Sequence, residues 1–127
     1  MTSAFGPPFT ILLAEDDEGH ARLIIRNLRR TGVENDVVHV TDGQQVLDFL
    51  SARPPYENRP PLSMLLLLLD INMPRMNGIE VLRQVKSDPE LSKIPVVMLT
   101  TTDDPWEIER CYELGCNVYV SKPVDHA

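Results

Sequence analysis

Cysteine is scarce in this chain: Cys111 and Cys116 are the only two, and neither stands in the Cys-x-x-Cys spacing of a metal or redox site. Both read as free thiols of a reducing cytosol, packed on a helix or at its end. Positive charge is also in short supply. Twelve basic residues against 19 acidic ones leave a net charge of −7, which works against binding to a phosphate backbone, so direct DNA binding is not expected. Long apolar runs are missing too. The longest, Met64 to Leu69, falls far below the ~20 residues that a membrane-spanning helix needs. Met1 to Pro8 lacks the basic segment, apolar stretch and small-residue cleavage site of a secretory signal, and reads as a short loose lead-in. The expectations are no membrane attachment and a cytoplasmic location.

What is present is 127 residues with 43% hydrophobic content, the size of one ordinary domain that buries a single core without metals or disulfides. That domain is expected over residues 9–127. Phe9 to Ala14 is an apolar run followed at once by Glu15, Asp16, Asp17 and Glu18, the pattern of a buried strand ending in a charged loop. Ala21, Ile24, Ile25 and Leu28 then recur at helical spacing, with Arg22, Arg26, Arg29 and Arg30 forming a solvated face and Gly32 suiting the stop. Val37 to Val40 is a second strand, and Thr41 or Asp42 caps a helix that turns Val46, Leu47 and Leu50 inward.

Four prolines between Ala52 and Pro61 exclude both helix and central strand there, leaving an exposed loop. Met64 to Leu69 supplies a strand buried on both faces and ending at Asp70. Gly78 to Val85 supplies a helix with Ile79, Leu82 and Val85 inward, broken by Ser87, Asp88 and Pro89. Pro95 opens a strand over Val96 to Leu99. Asp104 and Pro105 start a helix running to Gly115, and Val118 to Val120 is the last strand, ahead of Lys122 and Pro123. Apolar strands alternating with amphipathic helices predict an α/β fold: a doubly wound, five-stranded parallel sheet of flavodoxin-like order 2-1-3-4-5, with its site beyond the carboxyl ends of the strands.

The residues at those ends share one chemistry. Glu15 and Asp16 follow the first strand, Asp70 the third, Thr100 the fourth and Lys122 the fifth. With the first and third strands adjacent, the three carboxylates converge and repel one another unless a cation joins them. Hard oxygen donors suit Mg²⁺. A lysine and a hydroxyl beside them complete a place for a tetrahedral oxyanion.

The segments Ile11 to Asp16, Leu69 to Gly78, Val97 to Thr101 and Val120 to Pro123 resemble, in order and spacing, the receiver domains of bacterial response regulators. The resemblance implies that Asp70 accepts a phosphoryl group from a phosphohistidine of a sensor histidine kinase. It implies that Glu15 and Asp16 hold Mg²⁺ together with Asp70 and the backbone carbonyl of Asn72, with Asp17 as second choice for the acidic pair. Thr100 resembles the switch hydroxyl, Lys122 the cation that pairs with the phosphoryl group, and Tyr119 the aromatic residue that follows the switch. The output is then a changed protein-binding surface around the helix from Asp104 to Leu114, toward an unnamed target, in a monomer or weak homodimer. Such a protein is no enzyme beyond its own phosphorylation and dephosphorylation.

A haloacid-dehalogenase-type phosphatase also uses an aspartate nucleophile with Mg²⁺, but it needs a second aspartate where this chain has Asn72. A pseudo-receiver would have lost residues that are all here. A carrier within a multistep relay stays open as the alternative. Two departures stand out. The sequence stops at Ala127, leaving no residues for the helix that follows the fifth strand in this family, so either it is a piece of a longer chain or a partner covers that flank. The proline-rich loop resembles stand-alone regulators, among them those paired with bacterial phytochromes. Trp106 hints at a partner surface or at local packing, and His20, His39 and His126 read as structural or incidental.

Overall fold

In the computed structural model, which describes residues 9–100 and 104–122, strands and helices alternate as the patterning requires. The chain runs β1 (Thr10–Ala14), α1 (Glu18–Arg30), β2 (Val37–Val40), α2 (Gly43–Leu50), β3 (Leu65–Asp70), α3 (Gly78–Ser87), β4 (Val96–Thr100), α4 (Pro105–Glu113) and β5 (Val118–Ser121). All pairings are parallel, in the order β2-β1-β3-β4-β5. The lead-in Met1 to Pro8, Thr102, His126 and the place of a last helix fall outside the described residues.

Side chains alternate across the sheet, so each strand feeds two cores. Leu12, Leu67, Leu69, Val96 and Met98 pack with residues of α2, α3 and α4, such as Val46, Val81 and Cys111. Ile11, Leu13, Leu68 and Leu99 pack against Ala21 and Ile24 of α1 on the opposite face. Each such side chain contributes roughly 1.5–3 kcal/mol by leaving water. Among the described residues, Ile24, Leu28, Leu68, Val97, Leu99 and Val120 line an apolar groove beside α1.

Most boundaries follow side-chain caps. Asp42, not Thr41, caps α2, accepting from Gln45 N at 2.8 Å, while the Gln45 side chain reaches back 2.7 Å to Thr41 N. Asn77 caps α3 and Asp104 caps α4. Some expectations needed correction. Met64 belongs to a 3₁₀ turn (Leu62–Met64) rather than to β3. Val81 is fully buried on α3 where Ile79 is only half-buried. The α4 helix stops at Glu113 because Gly115, at φ +101°, closes the turn after it. The proline-rich loop is largely exposed, yet Tyr56 folds back edge-on to Phe49 with ring centroids 5.2 Å apart. Cys111 and Cys116 are buried free thiols.

Candidate functional site

Ala14 on β1 pairs with Leu69 on β3, so the residues that follow, Glu15 and Asp70, emerge side by side at the same edge of the sheet. Oxygen atoms of Glu15, Asp16 and Asp70 lie within 4.8 Å of one another. Glu15 and Asp70 are 0% and 1% exposed, whereas Asp16 faces solvent. Lys122, just past β5, brings its ammonium 2.8 Å from Glu15 Oε1 and 3.3 Å from Asp70 Oδ2. One cation in contact with Glu15 and Asp70 thus stands against a cluster of three carboxylates, and the imbalance shows in the acidities.

Burial, then repulsion from Glu15, pushes the Asp70 carboxyl up to about 6, with Lys122 pulling the other way. Burial and then Glu15 also raise Asp16. Burial works to lower Lys122, but its contacts with Glu15 and Asp70 outweigh this and hold it above the ordinary lysine range. Among the described residues Asp70 Oδ1 has no hydrogen-bond partner although it is buried. A surplus of negative charge, converging hard oxygens and an orphaned carboxylate oxygen fit a divalent cation.

Asp17 has other work. Its side chain caps α1, accepting from His20 N at 2.9 Å, and this bond holds its carboxyl below the usual range. It stands outside the three-carboxylate cluster. Asn72 is exposed two residues beyond Asp70. Between Asp70 and Gly78 the chain doubles back so tightly that a Cβ on Gly78 would sit 2.1 Å from the Asp70 carbonyl oxygen. Only glycine fits there, and Gly78 N donates to Ile71 O at 2.7 Å.

Thr100 is fully buried at the end of β4, and Lys122 N donates to its carbonyl at 2.8 Å. Tyr119 is half-buried on β5; burial raises its hydroxyl, and a hydrogen bond with the Thr100 side chain opposes that rise. The Thr100 side chain and the Tyr119 hydroxyl are therefore in direct contact.

Two of the histidines read as structural or incidental reach the site's edge. His20 Nδ1 lies 3.1 Å from Lys122 Nζ, and His39 Nε2 donates to the Glu15 carbonyl at 2.7 Å. Their spacing showed no metal pattern, and none was needed. The signal available was position, because His20 falls in the first turn after the acidic loop, where helical side chains lean toward the N-terminus. Trp106, 74% exposed on α4, does not pack locally in any substantial way.

Against this geometry the family model for the response regulator receiver domain matches residues 11–127. The chain belongs to the response regulator receiver family. Response regulator Rcp1 of Synechocystis sp. is 37% identical over 122 residues, covering 96% of this chain and 82% of that protein. The Mn²⁺-bound form of Rcp1 has a TM-score of 0.82, covering 94% of this chain and 84% of that one. The bacteriophytochrome response regulator RtBRR is 42% identical with a TM-score of 0.83, over 93% and 71% of the two chains. The phosphorylated cyanobacterial phytochrome response regulator RcpA is 38% identical with a TM-score of 0.82, over 93% and 83%. As a receiver, this domain accepts a phosphoryl group in two-component signalling. Among the described residues no helix is long and apolar enough to cross a membrane.

Proposed function

We propose that Asp70 is the phosphoacceptor, taking a phosphoryl group from a phosphohistidine of a sensor histidine kinase in a Mg²⁺-dependent reaction. The observation that carries this is a buried carboxylate grouped with Lys122, Glu15 and Asp16, with one oxygen that has no partner among the described residues. Glu15, Asp16, Asp70 and the Asn72 carbonyl would hold the metal. When bound, Mg²⁺ neutralises charge on the carboxylates and on the transferring group.

The chain's own residues account for the rest. With its acidity near 6, Asp70 is mostly ionised at neutral pH, and its carboxylate is the nucleophile. An Asp70 oxygen bonds to phosphorus as the phosphorus–nitrogen bond of the phosphohistidine breaks, and the imidazole leaves with the bonding pair. Lys122, held close to its two carboxylates, donates to a phosphoryl oxygen, and Thr100 turns its hydroxyl to another. Because Thr100 is bonded to Tyr119, that turn frees the tyrosine and alters the surface of α4 and β5, where Trp106 is exposed. The protein acts cytoplasmically and catalyses nothing beyond its own phosphorylation and dephosphorylation. Its similarity to RtBRR and RcpA supports a phytochrome-type sensor kinase as the donor.

The test is incubation with phosphoramidate and Mg²⁺ followed by intact mass measurement. Wild type should gain one phosphoryl group, stable in acid and labile in base, and Asp70→Asn should gain none. An equal gain in both proteins would contradict the assignment.

A further inference from the structure

Every proton of the Lys122 ammonium has a partner. Nζ lies 2.8 Å from Glu15 Oε1, 3.3 Å from Asp70 Oδ2 and 3.1 Å from His20 Nδ1. An ammonium offers three donors and no acceptor, so the ring nitrogen that meets it must present a lone pair. That assigns the imidazole as the tautomer with its proton on Nε2. Nδ1 stands farther from Glu15 Oε1, at 3.9 Å, so the closer partner of the ring is the lysine.

The backbone fixes this meeting. Asp17 caps α1 by accepting the His20 N–H, which sets His20 in the first turn with its side chain leaning toward the strand ends. The His20 side chain keeps a third of its surface exposed, whereas that of Lys122 is almost wholly buried.

We propose that His20 is a positioning residue for the phosphoryl-binding lysine: its Nδ1 holds one donor of Lys122 so that the ammonium stays over Asp70 when another donor turns to an incoming phosphoryl oxygen. The proposal rests on the reading of Asp70 as the acceptor. A lysine stem is long and freely rotating, and one of the two carboxylates that hold it loses its role during the reaction, since Asp70 becomes an acyl phosphate. Glu15 alone would draw the ammonium toward β1. An uncharged acceptor beside Glu15 holds a further proton of the ammonium without adding negative charge to a site that already has three carboxylates.

The experiment compares wild type, His20→Ala and His20→Asn in two measurements. One is the rate of phosphoryl uptake from phosphoramidate with Mg²⁺; the other is the solvent exchange of the Lys122 ammonium protons, read by NMR without metal or donor. Loss of one charge-assisted hydrogen bond in His20→Ala should slow uptake by about threefold to tenfold and speed proton exchange by a similar factor. His20→Asn, whose amide oxygen can occupy the place of Nδ1, should restore both to within about twofold. If wild type takes up phosphoryl and His20→Ala matches it in both measurements, His20 does not position the lysine. If His20→Asn stays as impaired as His20→Ala, ring bulk rather than Nδ1 is what matters, and the proposal is equally overturned. No uptake by wild type would instead overturn the reading of Asp70 itself.

Discussion

Arg75 Nε lies 3.1 Å from Oδ2 of the buried Asp42, tying the loop after β3 to the first turn of α2. Arg75 adopts φ +65° to do so, a left-handed conformation that a non-glycine residue holds at some cost. The same loop and the start of α2 also meet closely: a Cβ on Gly43 would come within 2.3 Å of the Met76 carbonyl. The loop that leaves Asp70 is therefore braced from behind by α2.

The two partners should respond unequally to truncation. Asp42→Ala removes the cap of α2 as well as the ion pair, and should cost about 1–3 kcal/mol of unfolding free energy. Arg75→Ala removes only a pair whose arginine is 72% exposed, and should cost less than about 1 kcal/mol. Urea titration of both variants checks this, and equal losses would contradict the bracing role given to Asp42.

Gly78→Ala should damage fold and site together. The added methyl collides with backbone at Asp70, for a cost of roughly 1–3 kcal/mol, and shifts the acceptor. Gly32→Ala is the comparison: its Cβ meets nothing, but φ +92° disfavours alanine by about 1 kcal/mol. Melting curves and phosphoramidate uptake should fall together for Gly78→Ala, whereas Gly32→Ala should lower the melting temperature and leave uptake unchanged. Normal uptake in folded Gly78→Ala would contradict the account.

Much of this was legible in the sequence, because the strands are short apolar runs and each site residue follows one of them. Asp70 could be read from the run Met64 to Leu69, which leads into a charge that burial makes costly. The choice among Glu15, Asp16 and Asp17 was open, since consecutive acidic residues carry no mark of which one caps a helix. Hydrogen bonding to His20 N settles Asp17 as the cap. His20 carried only a positional signal, because its partner Lys122 lies 102 residues away along the chain. The Arg75–Asp42 pair was hidden for the same reason.

The raised acidity of Asp70 has a pH signature with a definite sign. Its folded value of about 6 lies above the ordinary 3.8, so between those values the folded state binds more protons than the unfolded one. Stability from this group is therefore greatest at low pH and is lost as pH rises from about 4 through about 6, by on the order of 3 kcal/mol at most. Without divalent cations, Asp70→Asn should be more stable than wild type at neutral pH, with the difference shrinking toward pH 4. Urea unfolding at both pH values measures it, and a neutral-pH variant no more stable than wild type would count against a strained carboxylate.

Cation binding should oppose that strain. Mg²⁺ at about a hundredfold excess over its Kd stabilises a protein by about 2.7 kcal/mol, and wild type should show a rise in melting temperature of the corresponding size. Asp16→Asn and Asp70→Asn should lose most of that rise. Asp17→Asn should keep it, because asparagine caps a helix as well as aspartate does. A response lost in Asp17→Asn but kept in Asp16→Asn would reverse the assignment of the acidic pair.

The most direct test of Asp70 as the acceptor is chemical. After exposure to phosphoramidate and Mg²⁺, borohydride reduces an aspartyl phosphate to homoserine, which peptide mass mapping then locates. Homoserine at position 70, and only when Mg²⁺ is supplied, is the expected result. Homoserine at another aspartate with position 70 unmodified, or an equal yield when all divalent ions are chelated, would contradict it.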